Sequence, residues 1–192
     1  MSRRLVARSL GLWTVRGALV CSLGWGPLPS LVQAAPAAQA SEASIKAAYL
    51  HKFLPYVEWP ADALPAPDTP LVIAIAGADA VLAELRLLLA GRTVNGHAVQ
   101  ARRWNEDEPA LDGVHAVFVG QGTSLQRVLL RARSRPVLVV TETRNALDVG
   151  AMLNFVLVDG RVRFEAAPAV AERAGLKLSA RLLGVAERVV AR

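Results

Sequence analysis

The chain has 192 residues, 22 Lys+Arg against 16 Asp+Glu for a formal charge of +6, and 53% hydrophobic residues. A core of that size needs no covalent help, and a single cysteine, Cys21, excludes an intramolecular disulfide. The basic balance raises nucleic acid as a partner, but the location of the charge argues against it.

Residues 1–34 hold Arg3, Arg4, Arg8 and Arg16 and no acid, then apolar runs over Leu10–Val15 and Gly17–Gly24, and end in Val32-Gln33-Ala34. A basic start, a short apolar core and small residues at −3 and −1 are the pattern of a secretory signal peptide. Cleavage is expected after Ala34, or later in the Ala-rich stretch up to Ala40. Arg16 and the Gly/Pro run Gly24–Pro29 break the apolar stretch below the ~20 residues of a membrane span. No direct membrane insertion is expected once the segment is removed. Val20 is a poor neighbour for a lipidated Cys21, and Val6 is unusual for a twin-arginine signal, so the general secretory route fits best. Removal leaves 18 basic against 16 acidic residues, about +2, and no thiol.

Residues 35–44 are small and polar and read as a flexible tail, with the domain proper over 45–192. Ser41 or Ser44 can cap a first helix, in which Ile45, Tyr49 and Phe53 repeat at i, i+4, i+8. Pro55 should kink or end it, and Ala61–Pro70 is a Pro-rich loop. Leu71–Ala76 reads as a strand covered on both faces. Asp79 can cap a helix with Val81, Leu82, Leu85, Leu88 and Leu89 inward, stopped by Gly91. Asn95-Gly96 turns into a strand over His97–Trp104, and Asn105–Asp112 is an acidic loop. A buried strand over Val114–Val119, a helix over Ser124–Ala132 and a strand over Val137–Val140 follow. Strands alternating with helices predict a mainly parallel sheet.

Two apolar runs, Met152–Val158 and Arg161–Ala166, flank Asp159-Gly160, the pair suited to a two-residue type I′ hairpin. Val162 and Phe164 then face one side, and Arg161, Arg163 and Glu165 the other. Pro168 fits the first turn of a helix and Gly175 its left-handed end. A last helix is expected from about Lys177 to Val190, with Leu178, Leu182, Ala186 and Val189 covering a face. The expected fold is one three-layer α/β domain, with a mainly parallel sheet, a C-terminal antiparallel hairpin at one edge and helices on both faces.

Candidate chemistry is sparse. Gly120-Gln121-Gly122-Thr123-Ser124 lies between a strand and a helix, where amide groups can cradle a phosphate. It fails as a dinucleotide fingerprint because Leu125 stands at the third glycine position. A tight turn into a helix cap explains it better. His51, His97 and His115 are isolated, so no metal site is expected. Ser124, Ser134 and Ser179 lack a nucleophile elbow. The clusters Arg102-Arg103 and Arg127, Arg131, Arg133, Arg135 lack interleaved aromatics, so they read as a solvated face and nucleic acid is not expected. No cofactor and no catalytic residue are expected, and the chain does not read as an enzyme.

The stretch GAMLNFVLVDGRVRFEAAPAVAERAGLKLSARLL (Gly150–Leu183) resembles the C-terminal signature of the YfiR family of bacterial periplasmic proteins. That signature runs Gly-Gly-Met-Ile-x-Phe, a short turn, Val-Arg-Phe-Glu-Ile-Asn, then Ala-Gly-Leu-Lys-hydrophobic-Ser-x-x-Leu-Leu. IKAAYLHKFLPYVEWP (Ile45–Pro60) is similar to the family's opening helix with its Val-Glu-Trp-Pro end. Ala151 departs from the second Gly, Ala166-Ala167 from Ile-Asn, and Val114 stands where relatives often carry Cys.

The resemblance implies a periplasmic regulator (YfiR/HmsC-like) that binds the periplasmic sensory domain of an inner-membrane diguanylate cyclase, or a related sensor, and represses it. Lower cyclic di-GMP and lower biofilm and exopolysaccharide output would follow. Matching positions put Phe155, Arg163, Phe164 and Glu165 at the partner contact, with Lys177 and Ser179 in the following helix. A homodimer stays open at this point. The alternative from another class is a periplasmic small-ligand-binding protein using the strand-end crevice near Gly120–Thr123.

Overall fold

The structure of the protein, a computed structural model, describes residues 41–191 apart from 65, 67, 68 and 109. The expected signal peptide and most of the expected tail lie outside the described residues. Helix α1 spans Glu42–Phe53 and is capped by Ser41, whose hydroxyl accepts from the Ser44 amide. It starts three residues before Ile45, so the expected tail over 35–44 is helical at its end. The most deeply buried apolar positions of α1 are Ala47, Leu50 and Phe53, while Ile45 and Tyr49 are half-buried. The expected stripe is therefore rotated by about 100°, one residue's step round the helix, with Phe53 common to both.

Pro55 turns the chain into a 3-10 turn, Leu54–Tyr56, before a two-residue strand β1 (Val57–Glu58). Then follow β2 (Leu71–Ala76), α2 (Asp79–Leu89), β3 (Thr93–Val94), β4 (His97–Arg103), β5 (Ala116–Val119), α3 (Leu125–Ala132), β6 (Leu138–Thr141) and a short α4 (Ala146–Val149). The hairpin is β7 (Leu153–Val158) and β8 (Arg161–Ala166), in register from Leu153–Ala166 to Val158–Arg161. Asp159 and Gly160 have φ of +49° and +70°, as a type I′ turn requires.

The large sheet has the order β10-β8-β7-β6-β5-β2-β4-β3, where β10 is Arg188–Val189. From β7 to β4 every neighbouring pair is parallel. Side chains alternate across it: Ile73, Ile75, Phe118 and Val140 point into a core shared with α1 and α2. Ala74, Ala76, Val117 and Val139 point into a second core under α3 and α4. Helices on both faces of a largely parallel sheet make a three-layer α/β architecture.

The C-terminal segment departs from expectation. Lys177–Val190 is not a helix but a strand β9 (Lys177–Leu178), a single turn α6 (Ala180–Leu183) and β10, preceded by α5 (Pro168–Arg173). Ser179 accepts from the Leu182 amide and so starts a new turn, which Gly184 closes. Leu178 pairs with Val57 in a separate antiparallel ribbon, and Val189 lies parallel beside Ala166. The i, i+4, i+8 spacing of Leu178, Leu182 and Ala186 imitates a helix, although Leu178 is buried from β9, Leu182 from α6, and Ala186 is half-buried in the connection before β10. The hairpin is consequently not the sheet edge, since β10 covers β8.

Candidate functional site

The strand-end crevice lies at β2, which has β5 on one side and β4 on the other, the kind of position at which open α/β sheets bind ligands. In this chain the crevice is filled. A Cβ on Gly77 would lie 2.6 Å from Thr123 Oγ1 and 2.7 Å from the Gly122 carbonyl carbon, and one on Gly120 would lie 2.7 Å from the Gly77 oxygen. The two loops therefore touch backbone to backbone, which accounts for their glycines without a ligand. The anion position at the start of α3 is also taken. Glu106 Oε1 accepts from the Ser124 amide at 3.2 Å, and its Oε2 pairs with Arg127 Nη1 at 2.6 Å. A side-chain carboxylate there satisfies the helix terminus and its dipole as a phosphate would.

One strand over, between α1 and the loop after β6, a cleft of about 320 Å³ is lined by Lys46, Gln121, Glu142, Arg144 and Asn154 among others. Lys46 is 8% exposed and bridges Glu42, one helical turn back, to Glu142. Burial alone would lower its pKa, but hydrogen bonds to Glu142 and Glu42 outweigh this and hold it above the ordinary value. Asn154 is 2% exposed; its Nδ2 donates to Glu165 Oε2 at 3.5 Å, and its Oδ1 has no partner among the described residues.

The six residues expected at the partner contact do not form one surface. Phe155 and Phe164 face each other across the hairpin and are 4% and 2% exposed. They belong to an aromatic cluster with Tyr49 and Phe53: Phe53 lies 4.9 Å edge-on from Phe164, and Phe155 stacks 5.8 Å from Phe53. Because α1 covers the side of the hairpin they occupy, Phe155 supports a surface rather than forming it, and Phe164 reaches one only as part of the floor of a groove. Arg163 and Glu165 point to the opposite face. Arg163 is exposed, but Glu165 is largely covered and accepts from Arg188 Nε at 2.7 Å, fastening β10 to β8. Lys177 and Ser179 lie outside any helix. Lys177 is exposed on β9, 3.6 Å from Glu58, and the Ser179 amide donates to the Tyr56 oxygen.

That last bond places β9 and α6 beside the 3-10 turn, and a groove of about 540 Å³ opens there. Tyr49, Phe53, Tyr56, Phe164, Leu182 and Val185 line it, with Lys52 and Arg181 as its charged members. Tyr56 is 38% exposed and Val185 70%. A concave apolar surface with protruding aromatic and aliphatic groups and basic flanks is a protein-docking geometry. Phe164 is the one groove member among the six residues expected at the partner contact, while Tyr49, Phe53 and Leu182 were expected only as apolar helix faces. Tyr56 could have been found from Pro55, which takes it out of the α1 stripe. Val185 and Arg181 could have been found from Ser179 and Gly184, which bracket a single turn.

Among the described residues no helix is long and apolar enough to cross a membrane, and no group of three His, Cys, Asp or Glu side chains could hold a metal ion. A family model described as YfiR/HmsC-like matches residues 43–187. No curated protein matches the sequence.

Proposed function

Because the chain belongs to the YfiR/HmsC-like family, we propose that it is an exported regulator that binds the periplasmic sensory domain of an inner-membrane diguanylate cyclase, or a related sensor. Binding holds the sensor in its inactive conformation, which requires a higher affinity for that state than for the active one. Cyclic di-GMP falls, and biofilm and exopolysaccharide output with it. The observation that carries this reading is the open groove over Tyr56, Phe164 and Val185, built by the hairpin and the C-terminal segment, the parts that bear the family signature. Lys52 and Arg181 flank it, so an acidic or carbonyl-rich patch is the matching surface. Lys177 lies beside it on β9. Arg163 lies on the other face, where it serves a contact that wraps round the hairpin. Phe155, Glu165 and Ser179 hold the backbone in shape.

The test is co-purification of the protein with the periplasmic domain of a sensor encoded beside it, together with cyclic di-GMP in the intact cell. Val185→Asp and Arg181→Glu alter exposed side chains. Each is expected to weaken binding at least tenfold, and to raise cyclic di-GMP at unchanged protein level. Normal binding by both variants would remove the groove from the contact. Small-ligand binding has one observation in its favour, the unpartnered Asn154 Oδ1 in the Lys46 cleft. It requires a metabolite to raise the thermal midpoint with no sensor present.

A further inference from the structure

A second groove lies on the other side of the sheet, between α3, α4 and α5. It encloses about 730 Å³, and Leu125, Leu129, Val139, Met152 and Val170 supply its apolar lining. Leu130 and Val149, also lining residues, are 59% and 64% exposed. Its charged members are Arg133, Arg144 and Arg173, and no carboxylate among the described residues lines it. Arginines close by behave differently: Arg127 holds Glu106 and Arg135 holds Asp112. Arg133, Arg144 and Arg173 hold no carboxylate among the described residues.

We propose that this groove docks an acidic amphipathic helix of a partner protein, independently of the aromatic groove assigned above. Aliphatic and methionine side chains accept the apolar face of a helix in several packings. The placement of the arginines decides against a single-headed anionic lipid. Helix α3 has eight residues, about 12 Å of axis. It starts at the end of the sheet where Arg144 follows β6, and Arg133 lies at its far end. Arg173 closes α5 on the facing wall. A lipid brings one anionic head and satisfies one end. A helix of two to three turns with Asp or Glu toward both ends satisfies both while its Leu positions fill the floor.

The experiment uses a fluorescent 11-residue peptide, about three turns of helix, with Leu at i, i+3, i+4 and i+7 and Glu flanking that stripe at both ends. Its twin carries Lys in place of Glu, and phosphatidylglycerol vesicles form the third arm. Anisotropy titrations of the purified protein are expected to show saturable binding of the Glu peptide and at least tenfold weaker binding of the Lys twin. Arg144→Glu and Arg173→Glu should each weaken the Glu peptide about tenfold. Arg92→Glu, an equal charge change on the loop after α2, should not. Equal binding of both peptides, retention by Arg144→Glu and Arg173→Glu, binding to vesicles but not to peptide, or binding to none of the three would each overturn the proposal. Because Val185→Asp alters only the aromatic groove, its effect on sensor binding separates a failure there from a failure here.

Discussion

Replacing Gly77 with alanine is expected to destabilise the protein by clearly more than the same change at Gly91. Both glycines occupy the left-handed region, with φ of +65° and +70°. An alanine there costs about 1–2 kcal/mol in backbone strain at either position, and the entropy removed from the unfolded chain is equal for the two and cancels in the comparison. The sites differ in space. Among the described residues nothing lies within 4 Å of a Cβ at Gly91, whereas a Cβ at Gly77 meets Thr123 Oγ1 at 2.6 Å and the Thr123 nitrogen at 2.8 Å. Two of the three nearest atoms are backbone, so the Gly120–Thr123 loop must move as a whole, an overpacking cost of about 1–3 kcal/mol. Gly77→Ala should thus lose about 2–5 kcal/mol against about 1–2 for Gly91→Ala. Urea unfolding followed by the fluorescence of buried Trp59 and Trp104 measures this, provided the m-value is unchanged. Equal urea midpoints for the two variants would refute the close approach of the two loops. The strand-end crevice would then be open, and ligand binding at Gly120–Thr123 would regain its site.

Phe164→Ala should cost about 3–5 kcal/mol by opening the aromatic cluster; lost sensor binding in that variant accompanied by a lower thermal midpoint would reflect damage to the support of the groove. Glu165→Lys should release β10, seen as faster hydrogen exchange at the Glu187 and Val190 amides that bond to β8. The swap Glu165→Lys with Arg188→Glu should restore protection, and failure to do so would remove the ion pair from that role. His115, whose Nδ1 accepts from the Val72 amide at 3.1 Å, is pushed below its ordinary 6.5 by burial, which outweighs the raising effect of a hydrogen bond to the Ala63 backbone, with His97 adding a little to the lowering. The fold keeps it neutral while the unfolded chain protonates it. Its contribution is therefore complete above about pH 6.5 and is lost as pH falls through the lowered folded value. Urea midpoints between pH 7.5 and 5 should fall, less steeply in His115→Gln; some slope remains because burial depresses His51 in the same direction. An unchanged slope in His115→Gln would rule His115 out as a source.

Elements whose signals are local were legible in the order of the amino acids. Asp159-Gly160 demanded a type I′ turn, Leu71–Ala76 a buried strand, and Pro168 and Gly175 the two ends of α5, because each depends on the dihedral freedom or the covering of a few adjacent residues. What lies beside what came from long-range packing. Leu178 and Val189 had helical spacing, yet the open edges of Val57 and of β8 captured them as strands, since pairing with a distant segment outweighs the modest local preference for helix. Glu165 had the alternation of a solvated side chain until β10 arrived to cover it. The two grooves are assembled from segments far apart in the chain, Tyr56 with Val185 and Leu129 with Val170, and no short-range pattern encodes such meetings.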